Sequence, residues 1–158
     1  MTKMHPIREA TPSDIPALKT IIASTDLFPA DMLDDMIAPF FSGAGADEIW
    51  LIVEHDGAPV GLAYCAAERM TEGTKNLLLI AVHPQRQGAG FGAALLAALE
   101  ARLAEASGRV LLVETSGLPD YEATRHFYRK NGYHEEARIR DFYKDGEDKI
   151  VFWKRLKP

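Results

Sequence analysis

The 158 residues are expected to form one domain, spanning 1–158, long enough to bury about two-thirds of the unfolded chain's surface. Hydrophobic residues make up 47% and charged residues 26%, the balance of a globular protein rather than a fibrous or disordered one. A formal net charge of −5 argues against nucleic acid as a partner, since phosphate backbones bind basic faces, and leans toward an amine substrate over an acidic one.

The chain opens on Met1-Thr2-Lys3-Met4-His5-Pro6, without the apolar core of an export signal. No apolar run approaches the ~18 residues of a membrane span, so a cytoplasmic protein with no membrane partner is expected. Ile7-Arg8-Glu9-Ala10 reads as a short strand. Thr11-Pro12-Ser13-Asp14 follows as a turn and cap, with Ser13 or Asp14 placed to accept from orphan helix N–H groups. Ile15, Leu18, Ile21 and Ile22 keep helical spacing and predict a first amphipathic helix. Pro29 with Met32, Leu33, Met36 and Ile37 predicts a second, ending near Pro39, and Phe40 to Gly45 reads as a loop.

Ile49 to Glu54 and Pro59 to Ala66 are apolar runs joined by Asp56-Gly57, a hairpin signal. The single cysteine, Cys65, falls mid-strand, where it acts as a small buried hydrophobe. Alone, it excludes an internal disulfide and a four-thiolate metal site, suits a reducing compartment, and leaves no metal expected. Thr71 to Thr74 turns the chain into the run Leu77-Leu78-Leu79-Ile80-Ala81-Val82, which Pro84 stops. Gly88, Gly90 and Gly92 follow at every second position, and Phe91, Leu95, Leu96, Leu99 and Leu103 then fall at helical spacing. Strand, glycine loop and helix in that order aim unpaired amides and a helix dipole at one point, a place for an anion such as phosphate.

Ser107-Gly108 closes that helix, Arg109 to Glu114 is another buried strand, and Thr115 to Asp120 loops out. Tyr121 to Asn131 predicts a last helix with Gly132 as its C-terminal glycine, and Tyr133 to Tyr143 with Lys149 to Leu156 makes a closing hairpin. The element order is strand, two helices, three strands, helix, strand, helix, two strands. This is an α/β chain with a mixed, mostly antiparallel central sheet and helices on both faces.

The glycine loop fits neither familiar nucleotide fingerprint. A dinucleotide-binding G-x-G-x-x-G needs its third glycine one residue later than Gly92, and no acidic ribose ligand follows a second strand. A P-loop needs Lys-Ser/Thr where Ala93-Ala94 stands. The bare alternative is a turn that only packs a helix on a strand. Gln87-Gly88-Ala89-Gly90-Phe91-Gly92 does match Q/R-x-x-G-x-G/A, and Phe127-Tyr128-Arg129-Lys130-Asn131-Gly132-Tyr133 matches F-Y-x-x-x-G-F/Y. In both, and in its element order over nearly the whole length, the chain resembles the GNAT superfamily of N-acetyltransferases.

That resemblance implies an acyl-CoA N-acyltransferase fold, splayed between the fourth and fifth strands, with acetyl-CoA as co-substrate and a primary amine as acceptor. It implies that backbone groups at Ile80, Ala81 and Val82 pair with the pantetheine, and that an N–H there polarises the thioester carbonyl. It further implies that the amides of Gln87, Gly88, Ala89, Gly90, Phe91 and Gly92 hold the pyrophosphate, with Arg86 beside them. The second helix and its flanks would wall the acceptor pocket, although core packing explains Met32, Met36 and Phe40 equally well.

Direct transfer needs one group to protonate the leaving sulfur and another to take the ammonium proton. Tyr128 matches the general acid: a phenol of pKa about 10 keeps its proton at neutral pH, yet can pass it to a thiolate of pKa about 8.5. The base is a choice between Glu114, on the strand after the glycine-loop helix, and Glu72, in the preceding turn. Asn76 aligns with a glutamate found in some relatives but cannot take a proton; it is able to order a water. His83 and His126 are further candidates by residue type but read as exposed, and an acyl-Cys65 intermediate is the weaker route. Arg125 and Arg129 face either the coenzyme phosphates, a substrate carboxylate or solvent. Tyr121 and Thr124 replace an asparagine and an alanine usual in the family. The alternative function is a non-catalytic acyl-CoA-binding regulatory module on the same fold; a homodimer through the closing hairpin is an expectation by analogy.

Overall fold

The Asp56-Gly57 pair turns the chain as its sequence predicts. In the computed structural model, which describes residues 5–156, both residues hold positive φ, 53° and 78°. The twist of such a turn matches that of its flanking strands, here β2 (Ile49–His55) and β3 (Ala58–Ala67). β1 (Ile7–Glu9) pairs with β2, and β4 (Thr74–Val82), β5 (Val110–Ser116), β6 (His134–Lys144) and β7 (Glu147–Arg155) complete the set. They form one mixed seven-stranded sheet in the order β1-β2-β3-β4-β5-β7-β6, antiparallel but for the β4–β5 pair. The parallel ladder runs only from Thr74↔Val110 to Leu77↔Val113, while β4 runs on to Val82 and β5 to Ser116.

Two compact units share the chain: Met1–Ala66 with Leu79–Arg102, and Ala67–Leu78 with Leu103–Pro158. In the first, α1 (Ile15–Thr25) and α2 (Leu33–Ser42) bury Leu18, Ile21, Ile22, Leu33 and Ile37 in one cluster with Trp50, Ile52, Leu62, Leu79 and Ala81. Each such side chain contributes about 1.5–3 kcal/mol of transfer free energy. α2 runs past Pro39 and stops at Gly43, with φ 82°, rather than near Pro39 as expected. Pro39 costs α2 one intrahelical bond, to the Asp35 carbonyl, and in return the helix continues so that Phe40 and Phe41 gain a place against the core. Met36 and Phe40 pack on that core, whereas Met32 is exposed.

Asp14 does not cap the α1 amides. Its carboxylate takes the Thr11 N–H at 2.7 Å and the Nη1 and Nη2 donors of Arg8 at 2.8 Å, closing a turn of Pro12–Asp14 ahead of the helix. The Arg8 guanidinium holds this buried carboxyl down to a pKa of about 2. Trp50 and its cross-strand partner Tyr64 stack at 4.1 Å, and the Tyr64 hydroxyl donates to Glu48 Oε1 at 3.0 Å. Burial, and then Glu48, push that phenol up to about 12.

α3 (Phe91–Glu105) begins in the first unit and buries Phe91, Leu95, Leu96 and Leu99. In the second, the chain leaves α3 through Ser107, at φ 67°; Gly108 is needed for closeness, since a Cβ there would sit 2.8 Å from the Leu103 carbonyl oxygen. β5 and β7 pair from Val110↔Arg155 to Ser116↔Lys149. α4 (Glu122–Lys130), entered through a 3-10 turn at Pro119–Tyr121, ends before Gly132 at φ 91°. β6 is exposed along its whole length at the end of the sheet.

Candidate active site

In the first unit the glycine loop leaves β4 as its residues dictate. His83 anchors the exit: its N–H donates to the Val60 carbonyl at 2.8 Å, its own carbonyl accepts from Arg86 N–H, and its Nδ1 accepts from Gln85 N–H. Beyond Arg86 the pairing stops. The amides of Gln87, Gly88, Ala89, Gly90, Phe91 and Gly92 hydrogen-bond to no described residue, and the first α3 bond is Ala94 N–H to Gly90 carbonyl at 3.0 Å. Gly88 and Gly90 hold φ 81° and 87°, and a Cβ on either would meet nothing within 4 Å. Free donors, a helix N-terminus and open space beside the backbone fit an anion of phosphate size.

The side chains sort differently. Phe91 is buried between the rings of His5, at 4.3 Å, and His55, at 5.5 Å, so only its amide is available. Gln87 turns back to donate from Nε2 to the Val82 carbonyl at 3.0 Å. Arg86 is exposed and forms no ion pair with a described residue, which leaves its guanidinium for a ligand. Ile80 and Val82 are half-buried, Ala81 buried.

The second unit carries the titratable candidates. Tyr128, on α4, is buried at 3% exposure among the rings of Phe127, Tyr133 and Phe152, the last at 5.5 Å. Its hydroxyl hydrogen-bonds to no described residue, and burial pushes its pKa upward. Glu114, on β5, is ion-paired with Lys149 at 3.1 Å, and that lysine lies 3.8 Å from the centre of the Phe142 ring. Glu72 is exposed, and only its carbonyl is engaged, by Arg109 Nε at 2.6 Å.

Both α4 arginines are already occupied. Arg125 is buried and donates to the carbonyls of Ser116, at 2.7 Å, and Leu118, at 2.9 Å, and to the Glu122 carboxylate. It ties the chain leaving β5 to the helix. Arg129 pairs with Glu135 at 3.0 Å. Arg125 is thereby spent inside the fold, whereas the Arg129 pair is exposed. His126 is exposed and Cys65 buried, as their positions in the sequence predict.

One carboxylate was not legible from sequence. Glu68, just past β3, accepts from Asn76 Nδ2 at 2.9 Å, and Asn76 Oδ1 is buried without a partner. A glutamate at a strand end carries no signal of its own; the turn that folds β4 back against it does.

A mixed sheet with one short parallel ladder, whose fourth strand leads through a glycine loop with unpaired amides into a helix, defines an α/β protein with an anion-ready loop. The family model described as an acetyltransferase (GNAT) domain matches residues 46–135. A Desulfovibrio desulfuricans protein described as an acetyltransferase of the GNAT family superposes with a TM-score of 0.90 at 32% identity, covering 98% of this chain and 100% of that one. An uncharacterized N-acetyltransferase of Methanocaldococcus jannaschii is 28% identical over 94% of this chain and 90% of its own. A Salmonella typhimurium protein solved with its cofactor acetyl-CoA shares the fold, with a TM-score of 0.79 at 19% identity, covering 99% and 96% of the two chains. The chain belongs to the GNAT acetyltransferase family. Among the described residues, no helix is long and apolar enough to cross a membrane, and no cluster of three metal-ligating side chains occurs.

Proposed function

We propose that this chain is one acetyltransferase domain that moves an acetyl group from acetyl-CoA directly to a primary amine of a small molecule or protein. The observation that carries the reading is the run of unpaired amides from Gln87 to Gly92 at the α3 N-terminus, in a chain of this family. The acetyl-CoA in the related Salmonella fold supports the choice of co-substrate.

The bound co-substrate supplies a thioester carbon open to attack by a neutral amine. The loop amides and Arg86 hold its diphosphate, since amide donors and a guanidinium give charge-assisted hydrogen bonds of about 1.5–3 kcal/mol each. β4 backbone at Ile80–Val82 pairs with the pantetheine, and an N–H there receives the charge that develops on the carbonyl oxygen. Tyr128 donates its proton to the departing sulfur. Burial raises the pKa of this phenol, so its proton is held at neutral pH until the sulfur departs.

The test is release of CoA thiol from acetyl-CoA over a panel of amines: free lysine, a polyamine, an aminoglycoside and an alanyl peptide. Turnover with any of them supports the reading. Tight binding of acetyl-CoA with no thiol release on any amine makes the chain an acyl-CoA-binding module instead.

A further inference from the structure

We infer that Glu68 is the base that takes the ammonium proton in this reaction and that Asn76 is the residue that positions it. The inference rests on the acetyltransferase reading above and names a site that reading leaves open.

The argument starts from a polar group with no structural use. Asn76 is 4% exposed at the third position of β4, after Thr74 and Lys75 and before the apolar run that starts at Leu77, with Leu112 as its partner across the ladder. Its Nδ2 donates to Glu68 Oε1 at 2.9 Å, while its Oδ1 is buried without a partner. An orphaned buried acceptor destabilises a fold, and a leucine here would fill the space without that penalty. What the amide visibly achieves is to fix one carboxylate.

Glu68 is held from its backbone as well. Its N–H donates to the Thr74 carbonyl at 2.9 Å and its carbonyl accepts from the Thr71 hydroxyl at 2.9 Å, so the turn from β3 to β4 is closed on both sides of it. The carboxylate thus sits beside β4 one residue before the parallel ladder ends at Leu77↔Val113, on the strand proposed to carry the thioester a few residues on. Neither rival is built this way. Glu114 is ion-paired through Oε2 with Lys149 rather than held by a neutral donor. Glu72 is exposed, with no side-chain partner among the described residues to aim it.

The step is a proton transfer. One N–H bond of the acceptor ammonium breaks, its electron pair stays on nitrogen, and the proton moves to a Glu68 oxygen. The freed lone pair attacks the thioester carbon and the carbonyl π pair moves to oxygen; as the carbonyl re-forms the C–S bond breaks, the sulfur leaves with the Tyr128 proton, and the surplus proton on the new amide nitrogen passes through solvent back to the Tyr128 oxygen. Glu68 then returns its proton to water.

The experiment compares the wild type with Glu68→Gln and Asn76→Leu, by CoA-thiol release on whichever amine of the panel the wild type acetylates, with acetyl-CoA affinity and melting temperature in parallel. Glu68→Gln is expected to lower kcat about 100-fold, the usual range for a general base, with acetyl-CoA affinity within twofold of wild type. Asn76→Leu is expected to lower kcat about tenfold while its melting temperature stays level or rises, which a merely structural asparagine would not allow. Glu68→Ala with added formate should regain part of the lost rate. Wild-type turnover with Glu68→Gln kcat within threefold overturns the inference and leaves the acetyltransferase reading standing. So does a folded Asn76→Leu variant of wild-type kcat. Acetyl-CoA binding without wild-type turnover on any amine overturns both.

Discussion

Gly90→Val separates the fold's demand for glycine from the ligand's. Gly90 holds φ 87°, and a Cβ there meets nothing within 4 Å, so the cost to the free protein is backbone strain alone. That is about 1–2 kcal/mol for an L-residue in the left-handed region, or a melting-temperature loss of roughly 2–8 °C at this chain length. Gly146, in the β6–β7 turn, has φ 82° and the same open surroundings, so Gly146→Val carries the same strain without the loop. The two variants should therefore melt alike. Their acetyl-CoA affinities should not. A valine side chain at position 90 stands where the diphosphate is proposed to approach the amides. Losing two charge-assisted bonds at the low end, about 3 kcal/mol, weakens binding about 100-fold. Calorimetric titration of acetyl-CoA into both variants reads this directly. Affinities within threefold of each other would refute the placement of the diphosphate on this loop.

Tyr128→Phe should lower kcat about 100-fold with acetyl-CoA affinity within twofold, by steady-state kinetics beside calorimetry. Since burial raises this phenol's pKa, its proton stays on between pH 8 and 10, and turnover should show no Tyr128-linked decline there; a decline abolished by Tyr128→Phe would count against the raised pKa and leave the acid role standing. Asp14→Asn should cost about 1–2 kcal/mol at pH 7, discounted because Arg8 is half-exposed. Asp14 is depressed when folded, so its contribution is present above the ordinary value of 3.8 and fades as pH falls through about 2. Urea titrations along pH should therefore show the two proteins converging in acid; a constant difference would contradict this. Arg125→Ala should destabilise by about 2–4 kcal/mol, because the carbonyls of Ser116 and Leu118 lose a buried donor. A melting point within 2 °C of wild type, under about 1 kcal/mol at this size, would show that water replaces the guanidinium without loss.

Local chemistry decides much of this molecule. The Asp56-Gly57 turn, the helical spacing in α1 and α3, the strand stopped by Pro84 and the glycines of the loop act over a few residues each. A reader of the chain meets all the atoms involved, so the element order and the amide loop are legible there. The end of α2 was not, because the packing of Phe40 and Phe41 on distant strands outweighs a proline's local effect. The fates of charged residues were not either. Whether Arg125 seeks a phosphate or two carbonyls, whether Glu114 is free or bound to Lys149, and whether Asn76 has a carboxylate beside it all depend on strand register and turn closure. Those bring together groups that sequence spacing leaves apart. Sequence by itself settled the backbone pattern and the anion-ready loop, since backbone propensity is short-range. Tertiary structure alone decided which ionisable side chains are spent on the fold and which remain for chemistry, since a charge answers to whatever neighbour folding places within about 4 Å.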